Sequence, residues 1–162
     1  MIENLKINNY LNYFFIGIAG AGMSAIAQYL KGIGKNVTGS DRQFNQSEKV
    51  ETEVQLNNEG IQTFKQDGSG INDEIQICVV STAVEQTNPE IIRANELNIP
   101  IVHRSDLLAA IAETRKTVAV SGTSGKSTVS AMIYHVMEKS GHPVSFIGGA
   151  GLVALQEKGK NW

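Results

Sequence analysis

The stretch Tyr13-Phe-Phe-Ile-Gly-Ile-Ala-Gly-Ala-Gly-Met-Ser24 decides the fold of this 162-residue chain. Its first half, residues 13–18, is an almost unbroken apolar run, which is typical of a strand buried on both faces. Apolar residues then recur at helical spacing, which predicts a helix over 21–33. A glycine-rich turn between a buried strand and a helix points backbone N–H groups and the positive helix end at one spot. The stretch therefore predicts a phosphate-binding turn.

The turn itself reads Gly17-Ile-Ala-Gly-Ala-Gly22, with Ala19 in place of the second glycine of the dinucleotide fingerprint G-x-G-x-x-G. Strand, turn and helix come in the right order for a phosphate site, but the fingerprint is weak evidence for NAD. Asp41, after a predicted second strand, lies where such folds hydrogen-bond a ribose hydroxyl. A plain polar turn is the alternative interpretation of Asp41.

Apolar runs alternate with helical patterns through the rest of the first 114 residues. Further strands are predicted over 36–39, 61–64, 75–81 and 100–102, and further helices over 47–59, from 88, and over 106–112 with Ser105 as its cap. This alternation predicts a Rossmann-like α/β fold, a mostly parallel sheet with helices on both faces. The exit of the fourth strand, residues 81–83, and Arg104 after the fifth strand then lie at the same carboxyl edge as the glycine turn.

A second turn, Gly122-Thr-Ser-Gly-Lys-Ser-Thr128, follows a strand-like run over 116–121 and opens a helix-like run. It contains the parts of a P-loop: glycines whose backbone cradles phosphates, the Lys126 charge, and a Ser127 hydroxyl that can ligate magnesium. An ordinary flexible Gly/Ser loop is the alternative. Only one more strand is predicted after it, over 144–147, which is too little to close a second sheet. We therefore predict a domain over 1–114 and a truncated start of a P-loop ATPase domain over 115–162.

Composition narrows the function classes. The formal net charge of −2 provides no basic surface for general nucleic-acid binding. No apolar run reaches the roughly eighteen residues of a transmembrane helix, so we expect no membrane insertion. The lone Cys78 lies in an apolar run and is expected to be a buried small side chain in a reducing cytoplasm. No cluster has zinc-ligand spacing.

Two phosphate-binding turns in this order, together with the residues around them, resemble the Mur ligase family. The stretches that carry the resemblance are 15–24, 37–41, 80–83, 88–90, 99–102, 118–128 and 146–149. The resemblance is strongest to members that join L-alanine to UDP-N-acetylmuramate, and it implies an ATP-dependent carbon–nitrogen ligase of peptidoglycan precursor synthesis. A family member that adds a recycled peptide is the alternative. Ala19 and Ser124 stand where alanine-adding members usually carry glycine and histidine, so the added group stays open.

The resemblance also implies roles for individual residues. The UDP-sugar is expected at Gly17, Ala19, Gly20, Ala21, Gly22, Met23, Ser24, Asp41, Ser81, Thr82, Ala83 and Arg104. ATP is expected at Gly122, Thr123, Ser124, Gly125, Lys126, Ser127 and Thr128, with Ser127 on magnesium and Lys126 as the catalytic residue that balances charge on the transferring phosphoryl group.

In such a ligase the sugar's lactyl carboxylate becomes an acyl phosphate, which the incoming amine attacks. The family also needs acidic magnesium ligands, a modified lysine and a third domain, none of which can be placed in this sequence. We therefore expect a fragment that does not ligate alone. An NAD-binding Rossmann module and a self-contained P-loop kinase are the remoter alternatives.

Overall fold

The computed structural model describes residues 5–46, 50–149 and 155, and its strands form one five-stranded sheet. In chain order they are β1 (Asn12–Ile16), β2 (Asn36–Asp41), β3 (Gln62–Lys65), β4 (Ile77–Val80) and β5 (Ile101–His103). The order across the sheet is β3-β2-β1-β4-β5, and every neighbouring pair is parallel. The chain thus moves outward from β1 in one direction and then crosses to the other side. This confirms the predicted Rossmann-like sheet and puts its switch point at the carboxyl end of β1.

Helices cover both faces of the sheet. They are α1 (Ala21–Gly32), α2 (Glu51–Asn58), α3 (Pro89–Glu96) and α4 (Arg104–Glu113), and a further helix, α5 (Lys126–Lys139), follows the second turn. Buried residues of α1, α2 and α4, such as Leu30, Leu56 and Leu107, belong to one core cluster, whereas Ile91 of α3 belongs to a second. Helices α1 and α4 therefore share a face, and both begin at the carboxyl edge of the sheet. None of the helices described is long and apolar enough to cross a bilayer.

Two helix starts differ from prediction. Helix α2, predicted from residue 47, begins at Glu51, and residues 47–49 lie outside the described part of the chain. Helix α4 begins two residues earlier than predicted, because its cap is the imidazole of His103 and not Ser105. The His103 Nδ1 atom accepts the Ser105 backbone N–H and lies 2.8 Å from the Ser105 hydroxyl oxygen.

The strands predicted over 116–121 and 144–147 are wrong. Neither segment pairs with another segment in the described ranges, and Val118 is 71% exposed. An extended segment without a neighbour has no partner for its N–H and C=O groups, so an apolar pattern alone does not make it a strand. Side chains hold this region instead: the rings of Tyr134 on α5 and Phe146 meet edge to face at 6.1 Å, and Ile147 packs against the first core cluster.

Candidate functional site

The turn after β1 takes its shape from β2. The backbone N–H groups of Gly17 and Ile18 donate to the Ser40 carbonyl at 2.8 and 2.9 Å, and Gly17 has a φ of +81°, which L side chains rarely adopt. Gly39 permits the close approach, since a Cβ on it would lie 2.6 Å from the Phe15 carbonyl oxygen and 2.8 Å from Ile18 Cδ1. The turn is therefore held against the carboxyl end of β2.

Asp41 completes this attachment. Its carboxylate is buried, with Oδ2 accepting the Ala19 backbone N–H at 3.0 Å and Oδ1 accepting the Gln43 N–H at 3.0 Å. Both oxygens thus join the turn after β1 to the 3-10 turn after β2, a role that the sequence analysis did not assign. The predicted contact of Asp41 with a ribose hydroxyl stays a prediction.

The open backbone donors of this region lie at the first two positions of α1. Within the glycine turn the Gly20 amide donates back to a carbonyl at 3.3 Å, and the amides of Met23 and Ser24 both donate to the Gly20 carbonyl. In the part of the chain described, the N–H groups of Ala21 and Gly22 have no acceptor. They lie in the first turn of a helix, where the dipole is positive and anions are favoured. The Met23 side chain is buried in the core, and its predicted contact with a ligand stays a prediction.

Arg104 brings a cation to these two amides. A Cβ on Gly22 would lie only 2.6 Å from Arg104 Nη1, which shows that the guanidinium rests against the start of α1. This contact follows from the fold, because Arg104 opens α4 and α4 starts at the same edge and on the same face as α1. The only ion pair over 5–46, 50–149 and 155 joins Arg93 to Glu96, so Arg104 has no carboxylate partner there. Two amides and a guanidinium together form a site for an anion.

The turn after β4 lies beside the glycine turn, as predicted. A Cβ on Gly17 would lie 3.8 Å from Val84 Cγ2, and the preceding residues 81–83 are half-buried to exposed. An open cleft of about 430 Å³ at the ends of β4 and β5 is lined by Ser81, Thr82 and His103. The Nε2 atom of His103 is buried without a hydrogen-bond partner in the described residues. The cleft thus offers the Ser81 and Thr82 hydroxyls to a polar ligand.

The second turn, residues 122–125, is exposed and leads into α5. Gly125 caps the helix with a φ of +75°, and the Lys126 Nζ atom donates to the carbonyl oxygens of Gly122 at 2.5 Å and Thr123 at 3.5 Å. The amides of Thr123 and Ser124 have no acceptor in the described ranges. The lysine, the open amides and the start of the helix therefore lie within one exposed turn, and their contact with ATP stays a prediction.

The predicted magnesium ligand Ser127 and its neighbour Thr128 are exposed in the first turn of α5. Across 5–46, 50–149 and 155, no three His, Cys, Asp or Glu side chains come together as a metal site. Among the described residues, Ser127 is the one that the sequence predicts to bind a metal ion. Its contact with magnesium stays a prediction, as does the domain boundary after residue 114, which falls just after α4.

Comparison with known proteins gives a consistent result. Residues 12–116 match the family described as "Mur ligase family, catalytic domain". A UDP-N-acetylmuramate–L-alanine ligase of Carboxydothermus hydrogenoformans is 41% identical over 146 residues, which are 89% of this chain and 30% of that protein.

Two solved structures share the fold. The UDP-N-acetylmuramate-alanine ligase of Thermotoga maritima has a TM-score of 0.80 at 31% identity, covering 94% of this chain and 34% of that one. The UDP-N-acetylmuramate:L-alanyl-gamma-D-glutamyl-meso-diaminopimelate ligase of Neisseria meningitides has a TM-score of 0.75 at 23% identity, covering 88% and 44%. At that identity the second likeness shows the fold alone. The chain spans about a third of the length of the two alanine ligases compared above.

Proposed function

The chain belongs to the Mur ligase family, and on that premise we propose that it contains the nucleotide-sugar site and the ATP turn of a ligase that joins L-alanine to UDP-N-acetylmuramate. The relatives at 31% and 41% identity are named for that reaction. One observation carries the proposal: the Arg104 guanidinium lies against Gly22, in the first turn of α1, where the N–H groups of Ala21 and Gly22 have no acceptor among the described residues.

This anion site suits a diphosphate. The two amides donate at the positive end of α1, and the guanidinium adds charge-assisted hydrogen bonds in a planar fork. Because Asp41 and the Ser40 carbonyl already hold the glycine turn, the amides are oriented before a ligand arrives, which lowers the entropy lost on binding. The Ser81 and Thr82 hydroxyls follow β4 at the same edge of the sheet, where they would serve the sugar end of the ligand.

The second turn fits ATP. The amides of Thr123 and Ser124 are open, and the Lys126 ammonium contacts only carbonyl oxygens of its own turn among the described residues. ATP bound there supplies the phosphoryl group that activates the lactyl carboxylate, and Ser127 would hold its magnesium ion. Lys126 then neutralises charge on the phosphate oxygens. Since the reaction draws on ATP, we place it in the cytoplasm, where its product feeds peptidoglycan synthesis.

Isothermal titration with UDP-N-acetylmuramate, UDP and NAD tests the sugar site. We expect the chain to bind the two uridine nucleotides, and Arg104→Ala to weaken both about tenfold or more, since a hydrogen bond to a charged group contributes ~1.5–3 kcal/mol. Arg93→Ala is the matched control, because Arg93 pairs with Glu96 on the exposed side of α3. Tight NAD binding without UDP-sugar binding would overturn the proposal in favour of a nicotinamide-binding module.

The amino acid needs its own test. Ser124, in the position where alanine-adding members usually carry histidine, leaves the added group open, and a ligase that adds a recycled peptide to the same sugar is the second candidate. ADP release by the complete gene product, measured with UDP-N-acetylmuramate and either L-alanine or L-alanyl-γ-D-glutamyl-meso-diaminopimelate, distinguishes the two. We expect stimulation by L-alanine. Stimulation by the tripeptide alone would support the second candidate, and ATP turnover without the sugar would point to a self-contained ATPase.

A further inference from the structure

Gly22 lacks a side chain at the point where Arg104 lies. A Cβ on Gly22 would lie 2.6 Å from Arg104 Nη1, 3.4 Å from its Cζ and 3.9 Å from its Cδ, and these are the three nearest atoms outside the helix backbone. Real Cβ atoms essentially never approach another heavy atom within 3.0 Å. The guanidinium therefore occupies space that any side chain at position 22 would need.

The backbone at Gly22 does not explain why this residue is a glycine. Gly22 is the second residue of α1 and has no positive φ, whereas Gly17 has a φ of +81°. A glycine in a helix is less stable than an alanine, because it loses more conformational entropy on folding. In the dinucleotide fingerprint the third glycine lets the helix pack closely on a strand. At Gly22 the nearest atoms belong to Arg104 instead, so the glycine has a different steric reason.

No other contact fixes the Arg104 side chain in the described part of the chain. Its guanidinium makes neither a hydrogen bond nor an ion pair there, and the residue is exposed. A long side chain of this kind has many rotamers and loses entropy when it is held in one. The contact with Gly22 is therefore the observed restraint that puts the cation beside the open amides of Ala21 and Gly22.

We propose that Gly22 is a positioning residue for Arg104, because its missing side chain leaves the space in which the guanidinium lies at the start of α1. The inference rests on the proposed function, since the place of the guanidinium matters only if Arg104 binds the UDP-sugar. A methyl group at position 22 pushes the guanidinium away and leaves the helix intact, because the displaced group is the free end of an exposed side chain. Affinity for an anion and stability of the fold should therefore respond in different ways.

NMR without ligand tests the contact itself. Arg104 Cδ lies 3.9 Å from the Cβ position of Gly22, so the wild-type chain should show a nuclear Overhauser contact between the Gly22 α protons and the Arg104 δ protons. Observation of this contact supports the inference. Its absence from the wild-type spectrum overturns the inference before any ligand is added.

Isothermal titration of Gly22→Ala with UDP-N-acetylmuramate and with inorganic pyrophosphate tests the consequence. We expect both ligands to bind about tenfold more weakly, as they should in Arg104→Ala, because a charge-assisted hydrogen bond is lost. The melting temperature should stay the same or rise by about 1–3 °C, since alanine suits a helical position better than glycine. Weaker binding together with a melting temperature several degrees lower would show damage to α1 and overturn the inference.

Gly149→Ala is the matched control for the added methyl group. A Cβ at Gly149 meets no atom within 4 Å, and this residue is exposed as well. Its affinity for both ligands should stay within about twofold of wild type. An equal loss of affinity in Gly149→Ala would show that the effect at Gly22 is not local and would contradict the inference.

A double-mutant cycle separates displacement of Arg104 from direct obstruction of the ligand. In the Arg104→Ala background, Gly22→Ala should change the affinity by less than about twofold, because no guanidinium remains to be displaced. A further tenfold loss in that background would show that the methyl group blocks the ligand itself, and the inference would be wrong. Unchanged affinity of the single variant Gly22→Ala would also overturn it.

Pyrophosphate keeps this inference distinct from the proposed function. If the wild-type chain binds UDP-N-acetylmuramate no more tightly than pyrophosphate, the proposed function fails, and the cycle at Gly22 and Arg104 is still measured with pyrophosphate. If the wild-type chain prefers the UDP-sugar and the cycle shows no coupling between the two residues, the inference alone fails. If neither ligand binds, both are wrong.

Discussion

The Oδ2 atom of Asp41 accepts a hydrogen bond from the backbone N–H of Ala19 at 3.0 Å, which joins the last residue of β2 to the turn after β1. Asp41→Ala removes this acceptor and the one that serves Gln43. We expect the free energy of unfolding to fall by about 2–4 kcal/mol, because two half-buried hydrogen bonds to a buried carboxylate are lost. Urea denaturation measures this, and titration with UDP-N-acetylmuramate should show weaker binding.

Asp67→Ala is the matched control for that experiment. Asp67 accepts the Ser69 N–H at 3.0 Å in the same local pattern, but it does so in an exposed turn. Its removal should change the free energy of unfolding by no more than about 0.5 kcal/mol. Equal losses in the two variants would show that Asp41 has no special structural role.

Gly39→Ala tests the contact between β2 and the turn. The added methyl group meets the Phe15 carbonyl oxygen at 2.6 Å, and backbone cannot rotate away as a side chain can. We expect a loss of about 2 kcal/mol or more in the free energy of unfolding, the scale of an overpacked core. Gly149→Ala serves as control, since a Cβ there meets no atom within 4 Å. A Gly39→Ala variant as stable as wild type would contradict the observed packing.

The Cys78 thiol should be inert in the folded chain. Burial raises its pKa to about 12, and the charge of Glu90 acts in the same direction. At pH 8 the thiolate, which is the reactive form, is therefore almost absent. We expect no reaction with a thiol-specific disulfide reagent at pH 8 and full reaction in urea. Rapid labelling of the native chain would show that the thiol is accessible.

Glu90 should make the stability of the chain depend on pH. Burial raises its pKa in the folded state, with the Asp67 charge acting in the same sense and Ser40 and Gly68 opposing it. In the unfolded chain Glu90 has the ordinary glutamate pKa of about 4.3, so it loses its proton at a lower pH there than in the folded chain. The stability that the protonated group contributes is fully present below that pH and is lost as pH rises toward the folded pKa.

The measurement compares urea denaturation of wild type and Glu90→Gln between pH 4 and pH 7. We expect the variant to gain stability relative to wild type across this range, because its amide does not titrate. Asp67 also faces Glu90, so Asp67→Asn is measured alongside; Cys78 is the other titratable neighbour, and its thiol stays protonated throughout. Parallel curves for wild type and Glu90→Gln would contradict the prediction.

The sequence predicted single strands, helices and turns more reliably than the details that depend on contact between two segments. The apolar run before Gly17 and the helical spacing after Ala21 were enough for β1, α1 and the turn between them. The strand predicted around Val118 does not form, because a strand needs a neighbouring segment to pair with and an apolar pattern does not show whether one is present. At α4, Ser105 is the statistically preferred cap, but the imidazole of His103 takes that place in the fold.

The candidate site shows the same division. The glycines of the first turn predicted a phosphate site at the carboxyl end of β1, but they did not show which amides are open. Only the structure reveals that Ser40 and Asp41 occupy the amides of Gly17, Ile18 and Ala19. That result depends on the pairing of β1 with β2, which brings together residues far apart in the chain.

The meeting of Gly22 and Arg104 has a consequence for folding. Gly22 follows the central strand β1 and Arg104 follows the edge strand β5, so their contact exists only after β4 and β5 have docked beside β1. A half-assembled sheet has the glycine turn without its guanidinium and should have little affinity for an anionic nucleotide. A ligand of this site then binds the completed domain in preference to any intermediate, and by mass action it stabilises the folded chain with the logarithm of its concentration above the dissociation constant. The population of completely folded chains would therefore depend on how much of this ligand is present.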